Sequence, residues 1–301
     1  MSSEAIPVAT YDLHLHTWWS YDATANPDGY FKHARELGVG CIAITEHHVL
    51  DSLEEVSIAG KDYADVRIIP SAELSVTTSI GSVDLLCYGL PRSDSDELNA
   101  LLDVYHSWQR DAGDAISKGA QALGYDFSDA DRLALLQSYR PAKTIDQQGT
   151  THVKNAILRD YFIQRGFIAD VEEYAEFMSR LREKTPSPPY PDVGRVVPAV
   201  KSVGGLVAIA HPFGYFKQCE PRRMDALREE CDLDGIECAH PSIPSDYSSR
   251  YRAYCERNNL FSVAGSDCHS DDDIKTNFAR HGGDEAWLDE FLAILDSKST
   301  R

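Results

Sequence analysis

The sequence predicts an α/β protein, either a barrel or a doubly wound sheet, and three observations lead there. Seven short runs rich in Val, Ile and Leu recur along the 301 residues, stretches of helical spacing separate most of them, and ionisable side chains collect at their C-terminal ends. With 43% apolar residues the chain can bury a sizeable core, which excludes disorder, collagen and coiled coil.

The strand-like runs are Tyr11 to His16, Gly40 to Thr45, Val66 to Glu73, Val83 to Leu90, Leu206 to His211, Gly235 to Cys238 and Leu260 to Asp267. Between them, Asp28 to Leu37, Pro198 to Val203 and Ser248 to Asn258 have helical spacing, the alternation expected of parallel strands joined by crossover helices. The alternation breaks from about Ser93 to Pro191, where Glu97 to Leu123, His152 to Arg165 and Val171 to Lys184 all read as helices. The expected organisation is a first barrel part over 1–92, a helical insertion over 93–191 and a second barrel part over 192–301. The insertion closes on Thr185-Pro186-Ser187-Pro188-Pro189-Tyr190-Pro191, whose prolines cannot continue a helix and make a stiff extended return.

Charge limits the partners. The 48 acidic and 29 basic residues give a formal charge of −19, so the surface repels phosphate backbones and anionic membranes, and no stable nucleic-acid complex is expected. No run approaches the roughly 20 apolar residues of a membrane span. The start, Met1-Ser2-Ser3-Glu4-Ala5, lacks the basic stretch and apolar core of a signal peptide, so a cytoplasmic protein is expected. The seven cysteines include no CxxC pair and read as buried, reduced thiols.

The chemistry lies at the strand ends. His14 and His16 project from one face of the first strand, as two ligands of one metal would. Glu46 and His47 follow the second strand, Glu46 as a partner that orients an imidazole and His48 as an exposed loop residue. Glu73 ends the third strand, His211 the fifth, Glu237 lies in the sixth, and Asp267 and His269 follow the seventh. In parallel barrels that end carries the active site. Imidazole and carboxylate without thiolate suit zinc, manganese or iron, and that many buried carboxylates call for cations. From spacing alone Asp22 reads as a turn or capping aspartate.

These motifs resemble the PHP family, the polymerase and histidinol phosphatase superfamily of metal-dependent phosphoesterases. They are Asp12-Leu13-His14-Leu15-His16-Thr17, Ile44-Thr45-Glu46-His47, Ser71-Ala72-Glu73, Ala210-His211-Pro212 and Gly265-Ser266-Asp267-Cys268-His269, in the family's order. His152-Val153-Lys154-Asn155-Ala156, Gly204 to Pro212, and Gly235-Ile236-Glu237 with His240-Pro241-Ser242 extend the likeness to a subgroup that hydrolyses nucleotide phosphates. The resemblance implies a distorted seven-stranded (β/α)7 barrel of the TIM type with a helical insertion. It places His14, His16, Glu73 and Asp267 on one metal and Asp22, His47 and His269 on another, with Glu73 bridging towards a third at His211. It further implies two or three ions of Mn, Fe or Zn and attack on phosphorus by metal-bound hydroxide, with Asp267 as both a ligand and a catalytic group. His152 and His240 resemble residues that contact phosphate or protonate the leaving group.

Four departures from the family pattern stand out. Glu46 replaces an expected Asp, and the aspartate after Ser20 arrives one residue late as Asp22. Asp84 occupies the position of a third-metal histidine, and Thr150 that of a phosphate-binding arginine. Phosphate would then be held by Lys154, Arg140, Lys143 or the metals. The leading expectation is a metal-dependent hydrolase of small phosphate esters, a phosphomonoesterase or cyclic phosphodiesterase acting on a nucleotide or another phosphorylated metabolite. The alternatives are a 5'-3' exonuclease acting on oligonucleotides, a metal-dependent amidohydrolase, and a barrel kept for binding alone.

Overall fold

The computed structural model describes residues 6–91 and 95–299, so the extreme N-terminus and the expected 92/93 boundary lie outside the described residues. Seven strands form one sheet in sequence order: β1 (Tyr11–Leu15), β2 (Cys41–His47), β3 (Arg67–Thr78), β4 (Gly81–Tyr88), β5 (Leu206–Ile209), β6 (Gly235–Ala239) and β7 (Phe261–Ala264). A single bridge from Leu15 to Cys268, with the Asp267 N–H donating to His14 O at 2.8 Å, brings the last strand's loop back to the first. The result is a nearly closed barrel. Gly265 permits that closure, because a Cβ there would lie 2.2 Å from His14 Cβ.

The parallel pattern expected of most strands is interrupted at β4, which pairs antiparallel with both β3 and β5. Only Ser79 and Ile80 separate β3 from β4, and a parallel pair needs a crossover of a dozen residues or more. The consequence is functional. β3 runs on for five residues beyond Glu73, so Glu73 is not its end, and β4 starts at the rim, where Asp84 faces Ser75.

Helix α1 (Pro27–Leu37) follows β1, started by Asn26, whose side chain accepts from Asp28 N, and stopped by left-handed Gly38. Helix α2 (Leu53–Ala59) follows β2. Five helices follow β4: α3 (Asp96–Ala122), α4 (Asp129–Gln137), α5 (Ala142–Gln148), α6 (Asn155–Gln164) and α7 (Tyr174–Lys184). They carry a hydrophobic cluster of their own, including Phe127, Leu158, Phe162, Phe177 and Leu181. The long α3 serves both regions, since its Leu98, Leu101 and Tyr105 belong to the barrel core. Helix α6 begins at Asn155, so His152 and Lys154 precede it rather than open it.

Helices α8 (Val193–Ser202), α9 (Pro221–Glu230), α10 (Ser245–Asn258) and α11 (Asp271–Asn277) accompany the remaining strands. The last, α12 (Glu285–Ser299), closes the barrel end opposite the rim, where Phe291 packs on Tyr88 and Phe261 and Asp296 pairs with Arg67. Among the described residues no helix is long and apolar enough to cross a membrane.

Candidate metal centre

Strand β1 delivers His14 and, just past its end, His16, both fully buried. His14 Nδ1 lies 2.9 Å from Glu237 Oε1. Burial opposes ionisation of Glu237, but His14 and His240 outweigh it and hold its carboxyl below the usual range. A carboxylate only accepts, so His14 Nδ1 carries a proton. His16 Nδ1 lies 3.1 Å from Ser20 Oγ, which donates its own proton to Glu46 Oε2 at 2.5 Å and therefore accepts from His16. Both Nε2 atoms thus point inward.

There they meet. The two Nε2 atoms are 3.1 Å apart, Glu73 Oε2 is 3.3 Å from each, and Asp267 Oδ1 lies 3.3 Å from His14 Nε2 and 3.1 Å from His16 Nε2. Nitrogen and oxygen donor atoms of four side chains converge there, and Asp267 Oδ1 is buried without a hydrogen bond. His14 Nε2, His16 Nε2 and Glu73 Oε2 make one triangle of donor atoms with sides of 3.1 to 3.3 Å, and Asp267 Oδ1 makes a second triangle on the same two nitrogens. The donor set fits a divalent cation.

Two further groups adjoin it. His47 places Nδ1 3.1 Å from Glu73 Oε2 and Nε2 3.4 Å from Asp22 Oδ2, and His269 Nε2 is 3.7 Å from the same Asp22 oxygen. Asp22 Oδ1 is buried and unpaired. The His47 and His269 rings flank His16 at 4.3 and 4.2 Å. On the other side His211 Nε2 lies 2.9 Å from Glu73 Oε1 and 3.9 Å from Asp84 Oδ2. Glu73 therefore turns one oxygen to each side. Asp84 also accepts from Ser75 Oγ and from the Tyr215 phenol.

The electrostatics agree with the geometry. Burial alone would lower His14 and His47, yet Glu237, Asp267 and Glu73 around His14, and Asp22 and Glu73 around His47, raise both well above the usual imidazole range. Among the described residues no lysine or arginine pairs with Asp22, Glu73, Asp84, Glu237 or Asp267; their ion-pair partners are imidazoles. Five clustered carboxylates without a fixed cation require an external one.

The sequence matches the PHP domain family over residues 12–181. The chain belongs to the PHP domain family. As a PHP protein it has the architecture of a metal-dependent hydrolase, with His, Glu and Asp clusters able to hold metal. Similar curated proteins are a 5'-3' exoribonuclease of Haemophilus influenzae, 21% identical over 86% of this chain and 89% of that protein, and the 5'-3' exoribonuclease Rnm of Escherichia coli, 22% identical over 86% and 85%. Among solved structures, a Bifidobacterium adolescentis protein assigned as a metal-dependent phosphoesterase superposes with a TM-score of 0.69 at 22% identity, covering 94% of this chain and 96% of the other. An amidohydrolase from Chromobacterium violaceum with bound sulfate gives 0.67 at 19%, covering 87% and 88%. These structures share the PHP fold.

The expected substrate contacts of the PHP chain are less uniform. His240 lies at the rim, its Nε2 3.3 Å from Asp267 Oδ2. Its Nδ1 accepts from Ser242 N at 3.0 Å, so the ring proton sits on Nε2. His152 packs its ring against Tyr21, tilted by 42° at a centroid distance of 3.6 Å, and turns Nδ1 towards Gln109 O; burial pushes it down to about 4, so it is neutral near pH 7.

Arg140 and Lys143, expected to hold phosphate, are engaged with other protein groups. The buried Arg140 guanidinium donates to the carbonyls of Trp18 and Trp19 and to Thr151 and Gln148, bracing the loop after β1. Lys143 pairs with Glu55 at 2.7 Å over the Trp18 ring. Lys154 is half-buried at the start of α6, with its backbone N–H on the Tyr139 phenol.

His48 is buried, not exposed, because α3 covers it: it stacks on Tyr105 at 5.0 Å, and its Nε2 lies 2.9 Å from Ser75 Oγ. The sequence reading left Glu237 outside the ligand set and gave no role to Ser20, Gln109 or Tyr215. Gln109, from α3, donates to His47 O at 3.0 Å, and its own carbonyl accepts from His152 N, so one residue ties the insertion to the rim. A carboxylate inside the apolar β6 was the available signal for Glu237; the others carry none.

Proposed function

We propose that this PHP protein hydrolyses small phosphate esters, as a phosphomonoesterase or cyclic phosphodiesterase acting on a nucleotide or another phosphorylated metabolite. The observation that carries the reading is the convergence of His14, His16, Glu73 and Asp267 beside two further His and carboxylate groups. His14, His16, Glu73 and Asp267 would hold one ion, Asp22, His47 and His269 a second, and Glu73, Asp84 and His211 a third, the ions being Mn, Fe or Zn. Such ions, when bound, lower the pKa of water and neutralise phosphoryl oxygens. His240 holds a proton at Nε2 beside Asp267, where it can pass to a departing oxygen. His152 is neutral and offers a polar contact rather than a charge. Tyr215, on Asp84, and Tyr21, packed against His152, supply phenols and apolar ring faces that suit a nucleoside.

A second reading is stepwise removal of nucleotides from the 5' end of RNA, favoured by the curated relatives named as 5'-3' exoribonucleases. The net charge of −19 and the commitment of Arg140 and Lys143 to internal contacts favour single nucleotides over chains. The test is kcat/KM on metal-loaded protein across matched mono-, cyclic and bisphosphates, 5'-phosphorylated oligoribonucleotides and amides. The proposal expects a monophosphate or cyclic phosphate to lead. Faster nucleotide release from the oligoribonucleotide would replace it with the exonuclease reading, and amide hydrolysis alone would overturn both.

A further inference from the structure

We propose that Ser20 is a positioning residue of the metal centre: held by Glu46, its hydroxyl fixes the His16 ring so that Nε2 faces the cation. The hydroxyl touches three groups. It donates to Glu46 Oε2 at 2.5 Å, receives His47 N at 2.9 Å, and meets His16 Nδ1 at 3.1 Å. One proton and two lone pairs are all a hydroxyl has, and here each is used once.

The order of donors follows from the ends of the network. His47 N–H is a backbone donor and can only give, and so is Thr17 N–H, which donates to Glu46 Oε2 at 3.1 Å while Thr17 Oγ1 donates to Oε1. Glu46 thus stands as the acceptor of three donors from the turn after β1, and the Ser20 proton is drawn to it. Both remaining lone pairs of Ser20 then accept, one from His47 N–H and one from His16 Nδ1–H. Thr17, Ser20, His16 and Glu46 are all 0% exposed, so water cannot take the hydroxyl's place.

One serine therefore governs two ligands. It sets the tautomer and ring angle of His16, and it fixes the backbone of His47, whose ring faces Asp22 and Glu73. Glu46 has to cross from β2 to reach Thr17 and Ser20 together, and an aspartate there would be one methylene short.

The test needs no substrate, so it stands or falls apart from the proposed reaction. In chelator-treated, folded protein labelled with 15N-histidine, wild-type His16 should show the Nδ1–H tautomer. Ser20→Ala should shift His16 towards the Nε2–H form and raise the zinc dissociation constant, measured by competition with a chromophoric chelator, roughly 10- to 100-fold. Glu46→Asp, which keeps the charge and adds no bulk, should move both readouts the same way and serves alone if Ser20→Ala does not fold. The double variant should bind zinc no worse than Ser20→Ala, because both changes break one network. An unchanged His16 tautomer and zinc affinity in the folded variants would overturn the proposal, even with a lower melting temperature, since that would mark Ser20 as structural only. Fully additive losses in the double variant would also overturn it.

Discussion

His14 Nδ1 lies 2.9 Å from Glu237 Oε1, and neither side chain is exposed to solvent. The other Glu237 oxygen accepts from His211 N at 2.5 Å, so a single carboxylate on β6 orients one inner imidazole and the backbone that presents another. Glu237→Ala should therefore weaken zinc binding roughly 10- to 100-fold. Glu237→Gln should keep the His14 contact and lose less. Calorimetric titration of stripped protein checks the order, and equal affinity in wild type and Glu237→Ala would refute it.

Asp267→Asn replaces an anionic oxygen beside His14 and His16 with a group that ligates weakly. Phosphate release should fall at least 100-fold, while the melting temperature of the stripped variant stays close to that of stripped wild type. Near wild-type turnover with metal present would remove Asp267 from the centre.

Metal removal should destabilise the fold as well as stop turnover, because the ions bind the folded arrangement and the unfolded chain scatters their ligands. At a free metal concentration 100 times the dissociation constant, each site adds about 2.7 kcal/mol. Differential scanning calorimetry with and without chelator should show a melting temperature several degrees lower after stripping, restored by zinc or manganese.

Arg140 and Lys154 should separate stability from binding. Arg140→Ala frees the carbonyls of Trp18 and Trp19 in a buried setting and should cost roughly 3 kcal/mol of stability, with little change in KM. Lys154→Ala should leave stability nearly unchanged. If its ammonium meets phosphate, kcat/KM should fall about 10- to 150-fold, the equivalent of roughly 1.5 to 3 kcal/mol. Denaturant melts and steady-state kinetics on both variants decide the pair.

Thr150→Arg should improve bisphosphates relative to monophosphates, since it adds a guanidinium next to the segment that presents His152. A natural tenfold preference for the bisphosphate, about 1.4 kcal/mol, would contradict the proposed substrate class.

By itself the sequence determined the barrel's strands and the identities of the metal-capable groups. A buried strand must be apolar, so a histidine or carboxylate in it or just beyond it breaks the pattern visibly, as with His14, His16, His47, Glu73, His211 and Asp267. Period and spacing also marked α1, α3 and α10, though their ends moved by a few residues. Only the tertiary structure decided which way β4 runs, and with it why Asp84 reaches the rim beside His211. Only it revealed that Arg140 and Lys143 are occupied elsewhere, and that Ser20 and Glu237 stand behind His16 and His14. The reason is physical: periodicity records whether a side chain faces the core, whereas a hydrogen bond between residues 223 positions apart depends on how strands close into a barrel, which no local pattern encodes.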